Sequence, residues 1–109
     1  MNTERIKKIA EYIEKKYGLH SLNRGWRVIY VIYYTMENNV TDMTIKKIIK
    51  EAYKLYLEDN GLNAMDVTYS AFERSIYRTF KSFVVDSDEM IVNDIANSLF
   101  NVISEIEKT

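Results

Sequence analysis

The sequence predicts an all-α fold, a single compact domain of five helices that spans residues 1–109. Two features of the composition favour this prediction. The 109 residues include no proline and only three glycines, so few positions interrupt a helix. Hydrophobic residues make up 47% of the chain, which is enough to form one core at this length. The third feature is the spacing of the apolar residues, which follows the helical period.

The first two helices are predicted over residues 3–17 and 24–37. Gly18 follows the first helix, at the position where a left-handed residue commonly ends a helix. The second helix contains the run of residues 28–34, whose valines, isoleucines and tyrosines locally favour a strand. No partner strand is evident, and a lone strand leaves its backbone hydrogen bonds unmade, so we expect a buried central helix. The apolar face of the first helix comprises Ile6, Ile9, Ala10, Ile13 and Tyr17.

The third helix is predicted over residues 43–58, with Asp42 as its N-cap and Asn60-Gly61 at its end. A loop, residues 60–66, follows it. The apolar face of this helix comprises Ile45, Ile48, Ile49, Ala52, Leu55 and Tyr56. The opposite face carries Lys46, Lys47, Lys50 and Lys54.

The fourth helix is predicted over residues 70–83, because Ser70 and Glu73 are spaced as in a capping box. The turn-like Asp86-Ser87-Asp88 separates it from a last amphipathic helix. The apolar residues of that last helix are Met90, Ile91, Ile95, Leu99, Val102, Ile103 and Ile106.

Composition excludes several classes of protein. Without cysteine the chain has no disulfides, and one histidine cannot fill a tetrahedral zinc site, so we expect no metal. The longest apolar run, residues 28–34, is far shorter than the roughly 20 residues that a membrane span needs. No secretory hydrophobic segment follows the polar residues 1–5. We therefore expect a cytoplasmic protein without a membrane partner.

Catalysis is not expected either. The chain has no Gly-x-Ser-x-Gly motif, no glycine-rich phosphate loop and no His-Glu-x-x-His motif. Its one histidine, His20, lies in a short linker between helices. The acidic pairs Glu58-Asp59 and Asp88-Glu89 lie at helix ends, where solvated acids are ordinary. The sequence therefore predicts a binding module that uses no cofactor.

The fourth helix carries the strongest functional pattern. At about 100° per residue, one side is apolar and the other polar. The apolar side comprises Phe72, Ile76, Phe80 and Phe83, and the polar side Ser70, Arg74, Tyr77, Arg78 and Lys81. A helix fits the major groove of double-stranded DNA, where arginine binds guanine O6 and N7 and the carboxylate of Glu73 is suited to a cytosine amino group. Phosphate contacts are expected from Lys46, Lys47, Lys50 and Lys54.

Other interpretations stay open at the level of the sequence. A charged helix face is ordinarily just solvated. An aromatic surface is a second possibility, which would serve a protein partner without DNA binding, or else the same rings pack in the core with their hydroxyls in water. The tyrosines concerned are Tyr30, Tyr33, Tyr34, Tyr53 and Tyr56. The net charge of −1 does not decide, although residues 1–83 hold 14 basic and 10 acidic side chains and residues 84–109 one lysine and six acids.

Three stretches of the chain resemble a known family. They are Gly18-Leu19 through Arg24-Gly25-Trp26, the segment of residues 70–76 with its Ser-x-x-Glu-Arg-x-Ile pattern, and residues 86–100. In order and spacing they are similar to the C-terminal DNA-binding effector domain of the sporulation-initiating response regulator of Firmicutes. The similarity extends along nearly the whole chain at low identity, and residues 70–76 resemble the recognition helix of that family.

The resemblance implies a helix-turn-helix embedded in the helical fold, major-groove reading by residues 70–83, and control of transcription. The contacting positions of the family correspond to Ser70, Glu73, Arg74, Tyr77 and Arg78. The resemblance also implies that two copies lie side by side on DNA, so a homodimer is expected. Tyr77-Arg78 stands where the family has Arg-His, and the loop of residues 60–67 is longer than the family's tight turn. The first difference implies a different target sequence, and the second implies a different angle between the two helices.

Overall fold

The structure, a computed structural model, describes residues 2–20, 24–40, 43–83 and 92–108. Within these ranges every regular element is helical, which confirms the all-α prediction. The elements are α1 (Thr3–Tyr17), a 3₁₀ helix (Arg24–Arg27), α2 (Val28–Asn38), α3 (Ile45–Asn60), α4 (Tyr69–Phe83) and α5 (Val92–Lys108). The described helices surround one core, and none of them combines the length and apolar character of a membrane span.

Helix α1 has the predicted limits. The side chain of Asn2 accepts a hydrogen bond from the backbone N–H of Arg5 at 3.1 Å, so Asn2 is the N-cap. At the other end Gly18 has a φ of 70°, and its N–H reaches the carbonyl of Glu14 at 2.9 Å. The left-handed ending predicted at this glycine is therefore confirmed.

The second predicted helix consists of two elements. Residues 24–27 form the 3₁₀ helix, and α2 begins only at Val28. The central position is confirmed, because Val28, Val31 and Ile32 are 0% exposed. The β-branched residues therefore form a helix in spite of their local preference, since helix packing on every side buries them without an unpaired strand edge.

Helix α3 begins two residues later than predicted. Its N-cap is Thr44, whose hydroxyl accepts a hydrogen bond from the N–H of Lys47 at 3.3 Å, so the assignment of the cap to Asp42 is wrong. Asp42 itself lies outside the described residues. The predicted end is confirmed, because Gly61 has a φ of 63° and closes the last turn.

Helix α4 begins at Tyr69, and the predicted capping box at Ser70 is wrong. The hydroxyl of Thr68 accepts a hydrogen bond from the N–H of Ala71 at 3.1 Å, so the cap lies two residues earlier. Ser70 belongs to the first turn, and Glu73 instead accepts a hydrogen bond from the hydroxyl of Tyr69 at 2.8 Å. The Ser-x-x-Glu spacing is therefore a coincidence of composition.

Helix α5 closes the domain. Its buried residues Ile95, Leu99 and Val102 recur at the predicted helical spacing. The predicted turn at residues 86–88 and the apolar residues Met90 and Ile91 lie outside the described residues. Near the end of α5, Glu105 accepts hydrogen bonds from Tyr12 and Lys16 of α1, which ties the last helix to the first.

Candidate functional site

The two sides of α4 differ as the sequence predicts. Phe72, Ile76 and Phe80 are each 0% exposed, so they fix the helix to the core. The stacked rings of Tyr56 and Phe72, 5.3 Å apart, join α4 to α3. The side chain of Phe83, predicted for the same apolar stripe, is outside the described side chains. The outward residues Ser70, Arg74, Arg78 and Lys81 are exposed, and Glu73 and Tyr77 are half-buried.

Arg74 and Arg78 keep their charge available to a partner. Within the described part of the chain, the ion pairs are Arg5–Glu37, Lys16–Glu105 and Lys54–Glu51. Neither arginine belongs to any of them. The guanidinium groups on the outward face of α4 are therefore not neutralised by a described carboxylate.

The acidic residue of this face is already engaged. The carboxylate of Glu73 accepts a hydrogen bond from Tyr69, at 2.8 Å. Burial, reinforced by this hydrogen bond, raises the pKa of Tyr69 to about 12. Burial and then the charge of Glu73 also raise the pKa of Tyr77. Both tyrosines are therefore neutral hydroxyl donors at physiological pH.

A cleft of about 410 Å³ lies between the 3₁₀ helix, the end of the α3–α4 loop, and α4. Four arginines line it, Arg24 and Arg27 from the 3₁₀ helix and Arg74 and Arg78 from α4. We call it the arginine cleft. Its other lining residues are Gly25, Asp66, Val67, Thr68, Ala71, Ser75 and Thr79. Four guanidinium groups and one carboxylate give the lining a formal charge of +3.

Sequence reasoning missed Arg24 and Arg27 as site residues. In a 3₁₀ helix, side chains at positions i and i+3 lie on the same side, because three residues complete one turn. The two arginines are spaced in this way, so they project together. The signal in the sequence is Arg-Gly-Trp-Arg, whose i, i+3 spacing places both arginines on one side of a 3₁₀ helix and also on one face of an α-helix.

Gly25 allows the 3₁₀ helix to lie directly against α4. A Cβ atom at this position would lie 2.9 Å from Oγ1 of Thr79 and 3.3 Å from Cδ2 of Leu19. Both distances are shorter than ordinary van der Waals contact. The missing side chain thus brings the arginines of one element alongside those of the other.

Arg27 is the most constrained of the four arginines. Its guanidinium donates to Oγ of Ser75 at 3.3 Å, and its central carbon lies 5.5 Å from the centre of the Tyr56 ring. Arg27 is half-buried, whereas Arg24 is exposed. Arg27 therefore presents its remaining N–H groups to the cleft in a defined orientation.

Asp66 does not neutralise the cleft. One of its carboxylate oxygens accepts a hydrogen bond from the backbone N–H of Asn63 at 2.9 Å, within the loop before α4. Within the described ranges it forms no ion pair with an arginine. Its side chain therefore shapes the loop, and the arginine cleft keeps its excess of positive charge.

The remaining predicted site residues form separate groups. Tyr77, Arg78 and Lys81 border a smaller hollow of about 250 Å³ next to Ile95 of α5. The four lysines of α3 are exposed, but none lines the arginine cleft. Lys54 also pairs with Glu51 of the same helix, at 3.1 Å. Of the ten predicted residues, the arginine cleft thus brings together only Arg74 and Arg78.

The five tyrosines do not form an exposed aromatic surface. Tyr30 and Tyr33 are 7% and 5% exposed, and the other three are half-buried. Two of their hydroxyls join separate parts of the fold: that of Tyr53 donates to the carbonyl of Val67 at 2.7 Å, and that of Tyr33 accepts from the N–H of Asn2 at 2.8 Å. Tyr30 and Tyr33 therefore belong to the core, and Tyr34, Tyr53 and Tyr56 pack against it.

The described residues also contain no group of three or more histidines and acids arranged to hold a metal ion. Comparisons with models of known families, with curated proteins and with solved structures found no match to this chain. The candidate site is therefore characterised by its own geometry.

Proposed function

We propose that this protein binds double-stranded DNA in a sequence-specific way and thereby controls transcription, with α4 in the major groove. One observation carries the proposal. Arg74 and Arg78 extend from the exposed side of a helix whose other side is fixed in the core, and no described carboxylate neutralises them. A guanidinium group in this setting suits the paired acceptors O6 and N7 of guanine.

The neighbouring side chains supply the other contacts of a reading helix. Lys81 and Ser70, exposed at opposite ends of the face, are suited to backbone phosphates. The neutral hydroxyl of Tyr77 is a donor between them. Glu73 has one oxygen engaged by Tyr69 and a second with which to accept from a cytosine amino group.

Helices α3 and α4 serve as the two helices of the DNA-binding unit in this proposal. They pack through Tyr53 and Tyr56 against Phe72, with ring centres 5.4 and 5.3 Å apart. The connection of residues 61–68 is longer than the turn of three or four residues usual in a helix-turn-helix. The 3₁₀ helix also packs against α4. The family resemblance adds the expectation of two copies bound side by side.

The test is a selection from random DNA duplexes, followed by affinity measurements on the enriched sequence. We expect Arg74→Ala or Arg78→Ala to weaken binding by roughly 1–3 kcal/mol and to relax discrimination at one base pair. Lys8→Ala is the matched control, because Lys8 is an exposed cation on α1. A selection that enriches no motif, or equal losses for all three variants, contradicts the proposal.

A further inference from the structure

The arginine cleft is not explained by major-groove reading. Arg24 and Arg27 belong to a different element from the reading helix, and they approach Arg74 and Arg78 from the side of the 3₁₀ helix. Like charges repel one another, so gathering four guanidinium groups disfavours the fold unless something compensates. No described carboxylate pairs with any of the four. An anion from outside the chain is the natural partner.

We infer that the arginine cleft is a phosphate-binding site, in which guanidinium groups from two elements surround one phosphate group. The planar fork of an arginine matches pairs of phosphate oxygens, and a phosphate has enough oxygens for several forks at once. A carboxylate has only two oxygens, which one or two arginines satisfy.

The rigidity of the cleft supports this inference. Arg27 is already oriented by Ser75 and by the ring of Tyr56, so little side-chain entropy is lost when it binds an anion. The close approach at Gly25 fixes the distance between the two walls. Arg27 and the spacing of the two walls are therefore set before a ligand arrives, whereas the side chains of Arg24, Arg74 and Arg78 are exposed.

The phosphate has two possible sources. One is the backbone of a DNA duplex, in which case Arg24 and Arg27, with one arginine of α4, would hold one phosphodiester and leave the other arginine of α4 to read a base. In that form the inference rests on the proposed function. The other is a free phosphorylated small molecule, because about 410 Å³ falls within the roughly 300–1,000 Å³ range of ligand pockets.

Binding is measured with inorganic phosphate, exchanged for chloride at constant ionic strength, while NMR follows the side-chain N–H groups of Arg24 and Arg27. We expect saturable shifts at both groups. Arg24→Gln should weaken the binding about tenfold, since it removes charge-assisted hydrogen bonds. Arg27→Lys, which keeps the charge but loses the fork, should also weaken it. Lys8→Gln, an equal change of charge on α1, should leave it unchanged.

Each variant's backbone amide spectrum shows whether the fold is kept, which matters for the half-buried Arg27. Arg24 is exposed, so Arg24→Gln keeps the test valid if Arg27→Lys unfolds. Shifts that do not saturate, that occur equally with chloride, or that saturate at the same phosphate concentration in Arg24→Gln as in the wild type overturn the inference.

The duplex enriched by selection then identifies the source. If the duplex displaces inorganic phosphate, and Arg24→Gln reduces the salt dependence of DNA binding by about 0.9 in log–log slope, the backbone is the ligand. If phosphate and duplex bind together, or if phosphate binds and no duplex is enriched, the ligand is a free phosphorylated molecule. In the latter case the proposed function fails while the phosphate site stands. Enrichment of a motif without saturable phosphate binding leaves the function intact and removes the phosphate site.

Discussion

Gly25 shows how one residue determines the geometry of the candidate site. A methyl group here meets Oγ1 of Thr79. Thr79 is buried, and its hydroxyl donates to the carbonyl of Ser75 at 2.8 Å. The Thr79 side chain therefore cannot move away without disturbing that hydrogen bond. We expect Gly25→Ala to lower the free energy of unfolding by roughly 1–3 kcal/mol, the usual cost of overpacking. Urea denaturation followed by circular dichroism measures this change.

The control is a double-mutant cycle with Thr79→Ala, which removes the side-chain atom nearest to the new methyl group and leaves only the longer contact with Leu19. If the steric argument is right, the double variant is more stable than the sum of the single changes predicts. Additive losses would mean that Gly25 matters for another reason, such as its backbone conformation.

Tyr69 makes the stability depend on pH in the alkaline range. Burial, and then the hydrogen bond to Glu73, raise its pKa from 10.0 to about 12. The folded state therefore holds the proton more tightly than the unfolded chain, so this stabilisation is complete below pH about 10 and is lost as the pH rises towards 12. We expect Tyr69→Phe to show a shallower alkaline fall in unfolding free energy.

Burial also raises the pKa values of Tyr30 and Tyr77, so part of the alkaline fall persists in that variant. Superimposable pH profiles for the wild type and Tyr69→Phe would show that the folded and unfolded states titrate alike at this tyrosine.

At the scale of the elements, the N-cap of α4 differs between the sequence prediction, which is Ser70, and the structure, which has Thr68. Thr68→Ala removes the hydroxyl that accepts from the N–H of Ala71, so it should cost about 1 kcal/mol of stability. Ser70→Ala alters an exposed residue inside the first turn and should stay within about 0.5 kcal/mol of the wild type. Thermal unfolding of the two variants compares them directly. The reverse order of stabilities would restore the capping box at Ser70.

Helix periodicity predicted the elements well, and their ends less well. The C-terminal end of α1 follows from a glycine with a positive φ, a requirement of the backbone itself. The starts of α3 and α4 depend on a choice among nearby hydroxyl and carboxylate side chains, such as Asp42 or Thr44, and Thr68 or Ser70. These candidates have similar intrinsic capping strength, so the surrounding packing makes the choice.

The candidate site was predictable only in part for a related reason. The outward face of α4 follows from its own period, so Arg74 and Arg78 could be read from the sequence. The arginine cleft depends on how the 3₁₀ helix packs against a helix some fifty residues later in the chain, and no local pattern encodes that contact. Gly25 is needed for this contact, but the sequence shows that need only to a reader who already knows that Thr79 lies beside it.

At the scale of the whole molecule, the positive charge is distributed unevenly. The chain has a net charge of −1, yet the arginine cleft concentrates four cations in a small volume. Away from the cleft, Glu105 of α5 forms an ion pair with Lys16 of α1. This pair neutralises one charge of each sign and joins the first helix to the last. A neutral total is therefore compatible with a locally positive surface, which sets where a polyanion approaches.

The salt dependence of DNA binding measures how much of that surface a duplex covers. If four to six phosphates are neutralised, the log–log slope should be close to −4 or −5, at about −0.9 per contact. The lysines of α3 do not line the arginine cleft, so their share of the slope reports whether α3 also faces the duplex.

We expect the double change Lys46→Gln/Lys50→Gln to reduce the slope by about 1.8, since two phosphate contacts are lost. The matched control is Lys7→Gln/Lys8→Gln on α1, which removes the same charge from two exposed lysines and should leave the slope unchanged. If both double variants keep the wild-type slope, the duplex contacts α4 and the 3₁₀ helix without α3. If both reduce the slope alike, the reduction is a general effect of net charge and the predicted contact of α3 is wrong.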